Sequence, residues 1–158
     1  MLLGILLGST AFACAAAPPE ANVTQRIELE IPPAVAERAA QSAAGVAGVA
    51  PPVVVIAGLE IDPQQGLSLE VRGAAAEGEA APVLAFAGAV GNPSGPAGPR
   101  QLSTLVIPLN RRGQQLIAEA QRAGRRQLRL ELAAEGGQPL VFSRIYFQNE
   151  AAAPSPPP

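Results

Sequence analysis

Three groups of side chains in this chain have types and spacings that bear on chemistry. The first is an arginine cluster, Arg111, Arg112, Arg122, Arg125, Arg126 and Arg129. Six guanidinium groups within nineteen residues could bind an anion, a lipid headgroup or an acidic protein. Glu119 and Glu131 dilute the cluster, and Glu119 stands three residues before Arg122, a spacing that pairs charges on one helix face. A solvated helix face with the strand after it accounts for the same residues. The second group is acidic: Glu60 and Asp62 flank Ile61, and Glu70 follows on the next apolar stretch. Two such carboxylates could serve a calcium site or glycoside hydrolysis, but no EF-hand pattern surrounds them. The plainer account is the wet face of a strand pair. The third is Cys14, the only cysteine, at the end of an apolar N-terminal run.

The residues that are missing narrow the choice. The chain has no His, Lys or Trp, and Asp62 is its only aspartate. Without imidazole there is no Ser-His-Asp or Cys-His relay and no His-ligated metal. Without an ammonium there is no Schiff base and no P-loop lysine. None of the serines sits in a Gly-x-Ser-x-Gly elbow. The expectation is a non-enzymatic protein with no cofactor and no metal. Nucleic acid is not an expected partner: the formal charge is −2 and no aromatics interleave the arginines. That charge hides an asymmetry, with a net −6 over residues 1–99 and +4 over residues 100–158.

The elements that would hold these groups follow from periodicity. Met1–Ala17 reads as a leader: Leu2–Leu7 is an apolar stretch too short to span a bilayer, followed by small residues. No basic residue precedes it, so the expectation is either a true start upstream of Met1 with a basic stretch, or a free amino terminus that supplies the only positive charge. Two fates fit. Ala11-Phe12-Ala13 suits ordinary cleavage before Cys14, and Thr10–Cys14 suits a permissive lipobox in which Cys14 carries the lipid. Either implies export, to the periplasm or cell exterior or to a lipid-anchored position on the envelope. Membrane contact is then expected only through that anchor, and no disulfide is available. Residues 18–22 form a Pro-rich tether, and 151–158 (AAAPSPPP) an extended Pro-rich tail. Asn22-Val23-Thr24 matches a glycosylation sequon by chance.

Residues 23–150 are expected to form one domain. In Val23–Ile31, Ile27, Leu29 and Ile31 alternate with charged residues, which marks a strand. Residues 34–44 suit a short Ala-rich helix. Val53–Ile61 (VVVIAGLEI) reads as a buried strand, and Asp62–Gly66 as a turn into Leu67–Val71, forming a hairpin. Pro82–Val90 and Gln101–Leu109 are further strands, separated by the breaker cluster Gly91–Arg100. Asn110 caps a helix over 111–123 that Gly124 ends, with Leu116, Ile117, Ala120 and Ala123 facing inward. Arg125–Leu132 and Pro139–Phe147 complete the set, joined by a turn at Glu135–Gln138. About seven short strands with Gly/Pro turns and one firm late helix point to a mainly β fold, an antiparallel β-sandwich.

From Val53 to Gln148 the order of these features resembles the C-terminal β-sandwich domain of tyrosinases and polyphenol oxidases, the type-3 copper family. The matching segments are VVVIAGLEI, LAFAGAV (Leu84–Val90), the Gly-rich loop, LSTLVIPLNRRGQQLIAEAQRAG, QLRLEL and VFSRIYFQ. The resemblance implies an accessory domain that shields or accompanies a copper oxidase. That family's oxidase domain holds its copper with six His, and this chain has none. In the family, an accessory side chain fills the oxidase entrance; neither Phe86 nor Tyr146 is assigned that part. The expected partner is therefore a His-rich copper oxidase, with another envelope protein as the alternative.

Overall fold

The computed structural model describes residues 23–74, 80–135 and 140–148. Among them are seven strands and two helices, and the mainly β, two-sheet expectation holds. The strands are β1 (Val23–Glu30), β2 (Val53–Ile61), β3 (Gly66–Gly73), β4 (Val83–Val90), β5 (Gln101–Pro108), β6 (Gln127–Ala134) and β7 (Arg144–Phe147). Helix α1 (Pro33–Ala43) follows β1, and α2 (Arg111–Arg122) follows β5. The first sheet has the order β1-β6-β3-β4 and the second β5-β2-β7, every pairing antiparallel.

One expectation is corrected. β2 and β3 do not form a hairpin within a single sheet. Apart from an isolated bridge between Asp62 and Gly66, the chain turns at Asp62 and passes from the second sheet to the first. Both strands have a face to bury, and in separate sheets each turns it toward a shared interior. Leu59 and Ile61 of β2 and Leu69 and Val71 of β3 all reach the core. β2 keeps its core face through a bulge between Ala57 and Leu59. Gly58 takes φ +65° there, which shifts the alternation from Val54 and Ile56 to Leu59 and Ile61.

The chain folds as two β-α-β-β units that exchange strands. β1-α1-β2-β3 and β5-α2-β6-β7 have the same order, and each unit's first strand pairs with the other's second. Glu30 faces Gln127 where β1 meets β6, and Pro108 faces Val53 where β5 meets β2. Three residues on, Ile27 faces Leu130 and Leu105 faces Ile56. The third strands follow suit, β3 beside β6 and β7 beside β2. Ile31 donates its amide to the Arg126 carbonyl at 2.7 Å, as Leu109 does to Pro52 at 3.0 Å. Gly45 and Gly124 end the two helices with the same pair of backbone bonds. β4, beside β3, is the one strand without a counterpart among the described residues.

The helices pack on each other, and α2 also meets β4 and β6. Val35, Ala36 and Ala39 of α1 and Ile117 and Ala120 of α2 join the core. α2 starts where expected: Asn110 Oδ1 accepts from the Gly113 amide at 3.0 Å. Ala123, expected inward, is the exposed C-cap instead, because the helix has already closed by that residue. α1 has no side-chain cap, and Pro33 opens it at a position where no amide is needed. The last strand, expected from residue 139, begins at Arg144. The two sheets also approach at their edges, β4 near β5 and β1 near β7, so the outer faces form one continuous wall.

Candidate functional site

That wall has two unlike halves. On β1, β6 and β3 the outward side chains alternate in charge. Arg26 Nε lies 2.9 Å from Glu131 Oε1, and Arg129 Nε lies 2.6 Å from Glu28 Oε1. Arg72 pairs with Glu70 and stands opposite Glu131 in the strand register. The hydrogen bond that Arg72 donates to Glu70 raises the Arg72 pKa above its ordinary value; partial burial opposes this, and the Glu70 and Glu131 charges add to it. The Nε of Arg72 is buried without a hydrogen-bond partner. Cross-strand pairs of this kind suit a face that stays in water.

On β4, β5, β2 and β7 the outward residues are mostly apolar, with Thr104, Arg144 and Glu60 among them. Phe86 and Leu102 are each 73% exposed and Val106 58%. Val90 and Tyr146 are exposed as well. Val106, Val55 and Tyr146 form one row across the second sheet, in which Val55 is covered by its neighbours. Thr104, Ala57 and Arg144 form the next row. Arg144 holds its guanidinium 5.1 Å from the centre of the Tyr146 ring. Glu60, opposite Leu102, closes this half with Arg100 at 3.8 Å. A contiguous apolar area on a folded domain, bordered by polar residues, marks a contact surface.

This surface was not among the sites expected from the sequence. Its signal was present but unread: Phe86, Val90, Leu102 and Val106 alternate with core residues, so both faces of β4 and β5 are apolar. In the sequence such strands look like buried central strands, whereas β4 and β5 are the edges of their sheets.

The arginine cluster is dispersed. Arg112 lies 3.6 Å from Glu119, and Arg129 belongs to the ion-paired wall. Arg111 is exposed at the start of α2; Arg122, Arg125 and Arg126 are exposed at its far end. Arg122 stands in the last turn of α2, where its charge complements the helix dipole. The acidic group is separated too. Asp62 Oδ1 accepts the amides of Gln64 at 2.8 Å and Gln65 at 3.3 Å, which organises its own turn. Glu60 and Glu70 lie on different sheets, each with an arginine. Among the described residues no group of three His, Cys, Asp or Glu is placed to hold a metal.

Cys14, the leader, the tether, the tail and all but Glu135 of the expected turn at Glu135–Gln138 lie outside the described residues. Among those described, no helix is long and apolar enough to cross a membrane. The chain matches the pattern of no known protein family, and comparison with curated proteins finds no relative.

Proposed function

We propose that this chain is a non-catalytic, exported accessory domain that acts by docking another protein surface on its apolar half-wall. The observation that carries the reading is the division of the wall. Phe86, Leu102, Val106 and Tyr146 stand in solvent on one half, while ion pairs cover the other. Removing such side chains from water favours association by about 25 cal/mol per Å² of apolar area, less the cost of immobilising the partners. The resemblance to the tyrosinase accessory domain implies a His-rich copper oxidase as one such partner.

The test is a photo-cross-linking residue placed at Leu102 in the producing cell, with Thr24 on the ion-paired half as control. A discrete protein adduct at Leu102 and none at Thr24 is the expected result. Equal labelling at both positions, or none at either, overturns the reading.

A second reading has its own support. Arg122, Arg125 and Arg126 are exposed beside one another, and none has a carboxylate partner among the described residues. They suit an envelope protein, anchored through a lipidated Cys14, that leans on an anionic surface. Binding to anionic vesicles that weakens with salt, and is lost when the three are replaced by Gln, supports it.

A further inference from the structure

We infer that the free edge of β5 takes up an extended segment of another protein as an added strand. The inference rests on the docking reading above and states the chemistry of the partner. β4 and β5 are consecutive and approach each other, yet they share no ladder and each ends its sheet. The register fixes which backbone groups this leaves open. Leu109 donates its amide to Pro52, so in β5 the odd-numbered residues turn their backbone groups toward β2. Leu102, Thr104 and Val106 turn theirs away from it. In β3, Ser68 accepts the Glu135 amide just beyond β6, so Leu67 and Leu69 turn toward Ala89 and Ala87 of β4. Phe86, Gly88 and Val90 therefore present their backbone groups on the free side of β4. None of these outward groups has a backbone partner among the described residues.

An open edge draws a further strand unless something blocks it. β1 is guarded by charge, with Arg26, Glu28 and Glu30 along it, and β7 is only 4 residues long. β5 has 8 residues, no charged side chain and no bulge of its own. Its one guard, Pro108, lacks an outward amide only at the end next to α2. The residues with open backbone groups also carry the exposed apolar side chains, Leu102 and Val106 on β5 and Phe86 on β4. An added strand would gain main-chain hydrogen bonds from β5 and apolar neighbours on its outward face. A cavity of about 570 Å³ at the loop end, between Ala89 and Val90 of β4 and Leu102 and Ser103 of β5, leaves room beside the edge. Arg100 and Arg144 outnumber Glu60 on this half-wall, which disfavours a basic segment. The partner is thus an extended stretch of about six residues, apolar at alternate positions and free of Lys and Arg.

Selection of a phage library of random peptides, about eight residues long, on the purified chain tests this. Thr104→Pro serves for counter-selection, because proline there removes an outward amide and leaves the β2 ladder intact. An unchanged far-UV circular dichroism spectrum confirms that the variant folds. The expected result is peptides apolar at every second position that bind Thr104→Pro about tenfold more weakly. They should also slow hydrogen exchange at the amides of Leu102, Thr104 and Val106. N-methylation of alternate residues of a selected peptide should abolish binding in one of the two registers, a readout that holds even where Thr104→Pro fails to fold. Peptides indifferent to both changes overturn the inference, as does a library without a binder. Slowed exchange at the same amides in the concentrated chain alone overturns it as well, and makes a second copy the occupant. The Leu102 cross-link keeps the two readings apart. If it still captures a protein when strand addition fails, the docking reading stands; if it captures none, both fall.

Discussion

Ile31 and Leu109 occupy the same position in the two halves of this fold. Each is the core residue between a first strand and its helix. Each donates its amide to the residue just ahead of the other half's second strand, Arg126 and Pro52 respectively. Neither half pairs its own first and second strands. Among the described residues, β1 finds its only strand partner in β6, and β5 in β2. The consequence is a fold in which the core closes only when both halves are present.

This arrangement predicts how the chain behaves when cut. A break between Ala97 and Gly98 falls in the Gly/Pro loop and severs no strand. Fragment 1–97 retains only the β3–β4 pair, and fragment 98–158 retains no strand pair at all. Each alone should be unfolded by circular dichroism, since an isolated hairpin is marginal in water. Mixed in equal amounts, they should recover the β spectrum and a cooperative melt.

Much of this fold was legible in the sequence, because strand alternation and helix caps are local signals. Asn110 and Gly124 bracket α2 where expected, and every expected strand exists. The exchange between halves was not legible. Asp62–Gly66 has the composition of a hairpin turn, and that composition is equally suited to a turn between sheets; only the distribution of buried surface decides. The repeat is not visible in the sequence because equivalent positions share burial and not identity: Leu29 corresponds to Ile107, Val54 to Leu128, and Val35 to Gly113. The docking surface was hidden for the reason given above, since edge and central strands differ in neighbours and not in composition.

Two glycines should separate backbone strain from steric collision. Gly66 (φ +71°) and Gly124 (φ +67°) both sit in the left-handed region. A Cβ on Gly124 meets open space, so Gly124→Ala should cost only the backbone term, about 1–2 kcal/mol. A Cβ on Gly66 would strike the Ala89 carbonyl oxygen and the Gly91 nitrogen, which are backbone and cannot swing aside. Gly66→Ala should therefore cost at least about 1 kcal/mol more in urea unfolding. Equal costs would mean that the β3–β4 junction yields easily.

Asn110 should cost more than an ordinary helix cap when removed. Its Oδ1 caps α2 at Gly113, its Nδ2 donates to the Val83 carbonyl at 2.9 Å, and its amide donates to Leu84 at 2.8 Å. The side chain thus ties the helix to β4. A lost cap alone is worth about 1 kcal/mol; Asn110→Ala should lose about 2 kcal/mol. Asn110→Ser, which restores the cap but not the tie, should recover about half.

The ion-paired half-wall should contribute little to stability, and its Arg72 contribution should not vary with pH in the ordinary range. Arg72 and Glu70 retain 37% and 22% side-chain exposure, so solvent screens the pair. Arg72→Gln should cost about 1 kcal/mol or less, and less still in 1 M salt. The Arg72 pKa is raised on folding, so the stability this imparts is fully present below the ordinary guanidinium value and fades only as pH climbs through the still higher folded one. The difference in unfolding free energy between wild type and Arg72→Gln should hence be constant from pH 6 to pH 10 at fixed salt. A difference that shrinks over that interval would show that the pairing on β3 depends on a group other than the guanidinium of Arg72.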